Sequence, residues 1–590
     1  MYRRDYIIIW SVSLVTLVVV STLFSHPGYM DAFYYYHVAE NIAQGQGLVE
    51  RLVWNYLPPP DAVTHPSNTY WMPLVSLVAA PFLLVFGAAF RAAQLPFVLL
   101  SSLVPIMTAA LVWRLTANRA YAVWSALFIL FSGFYLTHWI DIDSFGIFAI
   151  STGITLFLMG ELCAQYKERS SVGDNLLLLG NMLSAKVSEK NGAHAKVEPT
   201  PLRSLQATSP LRRSREARGS LISSITALPY IGTSGSMGSW RGHLLMAALV
   251  GVCTALAHLS RADGPLLLVV FGFVLLLTAG WRHTASMLAV TTGVYLLAMM
   301  PWFLRNILVV GIPLPSQGAS VIFMREYNDL YSYGVSLSAG YLLDHGLWNI
   351  LADKANALLK NLAVLHGGAL FLLPFTLLGT WSQRKEIRLL PVFVYGAMLY
   401  LTFSLLFTHA GARGSMIHTA VALLPWSSLL AVHGTYTAVR WVAARRKGWK
   451  ENRAQLSFTA IALFFSAFMA FYIAFDESRD RDRIFGHYAE LSNWIEDNTE
   501  SKGPLMLTNP PAYAYVSKRP SIATPSNGVE ALLAAADRYG VSLLALEYDH
   551  AKPLEALYDG RETHPRLEIL GNVGNTRVYR IKPEEPARSR

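Results

Sequence analysis

The chain alternates between long apolar runs and short polar breaks. Apolar runs of about 20 residues lie near 6–24, 93–113, 119–137, 144–164, 243–261, 264–281, 284–303, 361–380, 389–408, 417–437 and 456–476. A helix of that length crosses the hydrocarbon core of a bilayer, so the pattern predicts eleven membrane spans. A further apolar stretch, about 70–90, opens on Tyr70-Trp71-Met72-Pro73 and is interrupted by Pro81 and Gly87. Beyond roughly 480 the pattern turns globular. Leu505-Met506-Leu507 and Val541 to Leu546 read as short strands, Val529 to Tyr539 as a helix, and Leu567 to Ile581 as a hairpin around Gly571-Asn572-Val573-Gly574-Asn575.

Positive charge orients the spans, because cytoplasmic loops retain Lys and Arg. Arg3 and Arg4 put the N-terminus in the cytoplasm. The stretch 166–242, rich in Ser, Gly and Arg and with little periodicity, reads as a flexible basic cytoplasmic loop. An even number of crossings must separate these two markers, so 70–90 is assigned as a juxtamembrane or re-entrant helix on the outer side. The alternation then places Arg384, Lys385, Arg388 and the run Arg440 to Arg453 inside and the C-terminus outside. The first apolar run is too long for the core of a signal peptide and reads as a retained anchor. The expected fold is therefore a multi-span α-helical membrane protein of about eleven spans with a small C-terminal α/β extracytoplasmic domain. Its expected parts are an N-terminal membrane module with a large first outer loop (1–165), the basic loop (166–242), a second membrane module (243–476) and the extracytoplasmic domain (480–590). The plasma membrane is the expected location.

Composition agrees: of 590 residues 53% are apolar and only 15% charged, and the mean hydropathy is +0.35. Disorder, a collagenous chain and a disulfide-rich scaffold are excluded. Cys163 and Cys253 both lie in apolar runs, which leaves no disulfide framework. The formal charge of +10 is concentrated on the predicted cytoplasmic side, where anionic membrane lipids are the expected partner and nucleic acid is not. No Walker loop, Rossmann fingerprint or zinc-protease motif is present.

Ionisable groups at membrane depth are costly and so are default functional candidates. Asp31 opens Asp31-Ala32-Phe33-Tyr34-Tyr35-Tyr36-His37, a segment suited to an interfacial helix. It can serve as a general base or merely cap that helix. Asp141 and Asp143 are spaced to ligate a magnesium or manganese ion, or else are solvated loop acids. Arg261, Arg305, Arg413 and His418 lie at predicted outer boundaries, where arginine either binds phosphate bidentately or anchors a helix end by snorkelling. His65 and His138 are further outer-face histidines.

These features resemble the C-type, lipid-donor glycosyltransferases, which include protein O-mannosyltransferases, aminoarabinose transferases and oligosaccharyltransferase catalytic subunits. The resemblance rests on Asp31 just after the first span, the Tyr-rich helix followed by Gly45-Gln46-Gly47, and Thr64-His65-Pro66-Ser67-Asn68-Thr69-Tyr70-Trp71-Met72-Pro73-Leu74. Ser260-Arg261-Ala262-Asp263-Gly264 and Pro301-Trp302-Phe303-Leu304-Arg305-Asn306 extend it. It implies an inverting transfer of a sugar from a polyprenyl-phosphate donor, with Asp31 as catalytic carboxylate. Tyr35, His65, Arg261, Arg305, Arg413 and His418 would then bind substrate, and Asp141 and Asp143 would match an acidic motif that holds a divalent metal in oligosaccharyltransferases. The chain lacks the Trp-Trp-Asp-Tyr-Gly acceptor motif of that branch, which favours a single sugar over a preassembled oligosaccharide. A secondary transporter is the main rival from another class, and its broken helices would carry polar groups near the midplane. A noncatalytic scaffold is the third reading.

Overall fold

The computed structural model describes residues 1–191, 240–314, 320–365, 372–409, 411, 414–446 and 448–584, with side chains through 168 in the first of these stretches. Among these residues eight helices are long and apolar enough to cross a membrane: Arg3–Thr22, Phe90–Thr116, Phe145–Glu168, Trp240–Ser260, Trp281–Val310, Ile387–Leu406, Ser415–Ala443 and Glu451–Asn498. Each covers one of the predicted runs, and the protein is a multi-pass membrane protein. Apolar residues on their outer surfaces are exposed, as at Val15, Leu297 and Leu308.

The other three predicted runs fall on shorter helices. Residues Arg119–Leu130 and Leu266–Ala279 form helices of 12 and 14 residues. At 1.5 Å per residue these reach only about 20 Å, short of the ~30 Å core. The run at 361–380 overlaps the helices Leu347–Leu365 and Leu373–Gln383, and 366–371 lie outside the described residues. The second of these starts on Pro374 in its first turn, a position that proline favours. The stretch at 70–90 forms a 13-residue helix, Leu74–Phe86, with Pro81 inside it.

The helix predicted near 144–164 runs on to Asn191, into the stretch expected to be a flexible loop. The rest of that expectation, 192–239, lies outside the described residues.

The C-terminal part holds a six-stranded sheet of order β2-β5-β4-β6-β8-β7. Its strands are β2 (Leu52–Val53), β4 (Leu505–Leu507), β5 (Ser521–Ala523), β6 (Leu543–Leu546), β7 (Leu567–Val573) and β8 (Thr576–Ile581). Strands β4, β6 and the β7–β8 hairpin match the sequence expectation. Strand β5 and the origin of β2 do not: β2 belongs to the first large loop yet pairs in parallel with β5, Leu52 opposite Ser521 and Val53 opposite Ile522. The domain boundary expected at 480 is therefore crossed by a strand. In the same loop β1 (Val49–Glu50) pairs antiparallel with β3 (His65–Pro66).

The helix Met30–Ala43 is buried on nearly every side, from Ala32 to Asn41. The short helix Leu74–Phe86 flanks it on one side, where the Ser76 hydroxyl donates to the Tyr35 carbonyl at 3.1 Å. The C-terminal domain flanks it on the other. There Lys518 binds Glu40 at 2.9 Å, and Tyr515 meets Tyr36 edge-on at 5.0 Å. This burial accounts for its aromatic composition. An interfacial helix would need one polar face, whereas this one is enclosed.

Candidate functional site

The chain enters this buried helix through Pro27-Gly28-Tyr29-Met30-Asp31. Tyr29 takes the cap position and Asp31 falls in the first turn. Asp31 therefore does not cap the helix. Its carboxylate is 26% exposed, and its nearest cationic neighbour is His418 Nε2 at 3.8 Å. Among the described residues no side chain hydrogen-bonds it. Burial pushes the Asp31 carboxyl up to about 6 against the pull of His418 and Arg261.

Asp143, at the start of the Phe145 helix, lies beside it and is fully engaged. The Tyr29 hydroxyl donates to its Oδ2 at 2.7 Å, and His418 Nε2 stands 3.1 Å from the same oxygen. Oδ1 takes the Ser144 hydroxyl at 2.9 Å and also the Ser144 amide. Burial alone would raise this carboxyl, but His418 and these donors hold it well below the usual carboxylate range. His418 Nδ1 faces the Gly414 carbonyl at 2.8 Å. A carbonyl only accepts, so Nδ1 carries a proton and Nε2 is the nitrogen turned to the two carboxylates. The imidazole is also stacked on Phe145 at 4.4 Å.

Arg261 closes the cluster. Its Nε donates to Asp263 at 3.0 Å and its Nη2 to the Ser415 carbonyl at 3.3 Å, while Nη1 has no hydrogen-bond partner among the described residues. Its charge acts on Asp31, Asp143 and Tyr35. Asp263 in turn accepts from Thr419, one residue past His418. Tyr35, one turn beyond Asp31, is buried against Trp71 at 6.2 Å between ring centres.

The structure thus brings together Asp31, Tyr35, Asp143, Arg261 and His418, and separates others. Asp141 does not share a site with Asp143, because alternate residues of this tight turn point to different partners. Arg481 holds Asp141 bidentately, Nη1 to Oδ1 at 2.6 Å and Nη2 to Oδ2 at 3.1 Å. His138 Nδ1 adds a contact at 3.0 Å. The doublet expected to share one cation is split between two clusters, Asp31–Asp143–His418 and His138–Asp141–Glu477, each with donor atoms within 4.8 Å of one another. Arg305 braces the first loop instead, donating to the carbonyls of Leu48 at 3.2 Å and Ser67 at 2.9 Å. His65 pairs with Glu50 at 2.7 Å. Arg413 lies outside the described residues.

Sequence reasoning missed Tyr29, Asp263, Arg481 and Glu477. Arg481 is 2% exposed, bridges Asp141 and Glu477 and lies over the Phe24 ring at 4.2 Å. Gly28 permits this: a Cβ there would fall 2.1 Å from Arg481 Nε. The available signal was the spacing of Glu477 and Arg481, four apart in the helix Glu451–Asn498 just past its apolar run.

No family model matches the chain, and no curated protein does. Solved structures do. ArnT from Cupriavidus metallidurans bound to undecaprenyl phosphate superposes with a TM-score of 0.54 at 11% identity, over 98% of both chains. The Archaeoglobus fulgidus oligosaccharyltransferase tethered to an acceptor peptide gives 0.52 at 13% identity, over 94% of this chain and 70% of that one. The oligosaccharyltransferase AglB from the same organism, in complex with an inhibitory peptide and a dolichol-phosphate, gives 0.50 at 13% identity over the same shares. Over nearly its whole length the chain has the fold of these structures, the one its resemblance to C-type glycosyltransferases implied.

Proposed function

We propose that the protein is an inverting membrane glycosyltransferase that moves a single sugar from a polyprenyl-phosphate donor to an acceptor hydroxyl. One observation carries the reading. Among the described residues no other side chain hydrogen-bonds the Asp31 carboxylate, whereas both oxygens of its neighbour Asp143 are engaged. A carboxylate raised to about 6 is ionised at neutral pH yet still basic enough to accept a proton in the transition state. The acceptor hydroxyl gives its proton to Asp31 as its oxygen bonds to the anomeric carbon. The bond from that carbon to the phosphate oxygen breaks on the opposite face, and the electron pair leaves with the polyprenyl phosphate. The Nη1 end of Arg261 is available to that phosphate. The fold shared with structures holding undecaprenyl phosphate and dolichol-phosphate supports this donor class.

Asp31, Asp143 and His418 also fit a divalent cation, manganese or magnesium. They present one nitrogen and two carboxylates within 4.8 Å, and the His418 Nδ1 contact to Gly414 orients Nε2 as metal-binding histidines are oriented. Such an ion supplies Lewis-acid stabilisation of a departing phosphate.

The test is Asp31→Asn, assayed for transfer from polyprenyl-phosphate sugars. Loss of a general base predicts a fall of roughly 10²–10⁴-fold in turnover with expression and the fold retained. Full activity removes Asp31 from the chemistry.

A further inference from the structure

A second site lies beside the Asp31 cluster. The first large loop and the end of the Trp281–Val310 helix enclose a cavity of about 390 Å³, lined in part by Glu50, Trp54, Thr64, His65, Thr69 and Val310. Its size falls within the roughly 300–1,000 Å³ typical of small-ligand sites. Thr64 and the neighbouring Ala62 are exposed and form its rim.

The polar wall is incomplete in a specific way. His65 Nε2 meets Glu50 Oε1 at 2.7 Å, and Nδ1 meets the Val63 carbonyl at 3.1 Å. Both partners only accept, so the ring carries both protons and neutralises Glu50. Glu50 is 2% exposed, yet among the described residues its Oε2 has no partner in hydrogen-bond geometry. The Tyr34 hydroxyl is hydrogen-bonded to this carboxylate, yet among the described residues no partner stands in hydrogen-bond geometry to Oε2. A buried oxygen left unmatched is costly, so the cavity lacks a donor. With the charge already balanced by His65, a hydroxyl suits it better than a cation.

The apolar wall is rigid. Trp54 stacks on Trp71 at 3.7 Å and meets Tyr70 edge-on at 4.9 Å. Fixed indole surfaces suit flat apolar faces with polar edges, and a pyranose ring has both. The wall also reaches the catalytic cluster. Tyr34 and Tyr35, on the helix that carries Asp31, pack against Trp71 at 4.5 and 6.2 Å. On the other side, Leu308 and Val309 at the end of a long apolar helix are exposed.

We propose that the Glu50–His65–Trp54 cavity binds the carbohydrate part of the acceptor, so that the acceptor is a hydroxyl-rich saccharide. This rests on the transferase reading for the word acceptor, whereas saccharide binding itself does not. The saccharide is either free or borne on a lipid, and the exposed apolar helix end beside the cavity accommodates both.

The experiment is a fluorescence titration of the full chain in lipid nanodiscs free of sugar detergents. The probes are neutral and amino mono- and disaccharides and their short-chain alkyl glycosides. Saturable binding of at least one saccharide is expected. Glu50→Gln should weaken it about tenfold, the size of one charge-assisted hydrogen bond. Ala62→Trp, which fills the rim without touching the pair, should abolish it. Asp31→Asn should bind as the unaltered chain does while losing transfer, which separates this proposal from the proposed reaction. Tighter binding of the alkyl glycoside identifies a lipid-borne source and equal binding a soluble one, each within the proposal. Absence of binding across the panel, or binding unaffected by both cavity variants, overturns it. If binding holds and no polyprenyl-phosphate donor supports transfer, the reaction fails and the saccharide site stands.

Discussion

Replacing Arg481 by Met tests what holds the acidic turn in place. The guanidinium, 2% exposed, donates to both oxygens of Asp141, at 2.6 and 3.1 Å. Charge-assisted bonds contribute about 1.5–3 kcal/mol each, but the two are not simply summed. Asp141 keeps the His138 contact at 3.0 Å and can take up a proton once its counter-ion is gone. Breaking one side of a buried pair costs about 3–5 kcal/mol, and that is the expected loss for Arg481→Met. Arg481→Lys should fall between, since an ammonium keeps the charge and loses the fork. The assay is SDS-titrated unfolding of the purified protein, run as a double-mutant cycle with Asp141→Asn. Direct contact predicts strongly non-additive effects, with a coupling of about 2 kcal/mol or more. Because Asp143 lies two residues from Asp141, Arg481→Met should also lower kcat more than the donor KM. A loss under about 1 kcal/mol, or additive effects, would refute the view that this pair fixes the turn.

Three other outcomes are expected. Because burial raises Asp31 to about 6, transfer should rise with pH through about 6 as the base ionises. Stability should move the other way: the folded state binds the extra proton between about 4 and 6, so it loses stability as pH rises across that window. Asp31→Asn should then be more stable than the unaltered chain above pH 6, by on the order of 2 kcal/mol, and no more stable below about pH 4. Dialysis against a chelator should lower transfer, and manganese or magnesium should restore it. Turnover that ignores both would leave His418 as an imidazolium between Asp31 and Asp143. Finally, Val53→Asp buries a charge in the sheet core formed with Met506 and Ile522 and should release the first loop, read as trypsin cleavage after Arg51.

The long apolar runs were legible because a membrane span needs about 20 residues of one character, a signal that averages over local noise. The other three runs were not legible as short or interrupted helices, because hydropathy does not see where proline, glycine or a polar cap ends a helix. Asp31 was visible as a lone acid after an apolar run. Its partners were not: Asp143 meets His418 across 275 residues, and no local pattern reports such a contact. Asp141 and Asp143 looked like one ligand pair because spacing gives proximity along the chain and not the direction of side chains around a turn. Arg481 was hidden in the charged run Glu477 to Arg483, where the neighbouring Arg479 and Arg483 are exposed. Arg305, open between a phosphate ligand and a helix anchor in the sequence, spends Nη2 on two backbone carbonyls and Nη1 on the Asn306 side chain.

The parallel pairing of Leu52–Val53 with Ser521–Ile522 constrains how the protein is made. Strand 52–53 leaves the ribosome and the insertion machinery long before its neighbour exists. The loop bearing the Glu50 cavity must therefore wait, unzipped along that edge, until nearly all membrane helices are in place. Quality control that senses an unfinished sheet would thereby inspect the entire polypeptide at a single seam.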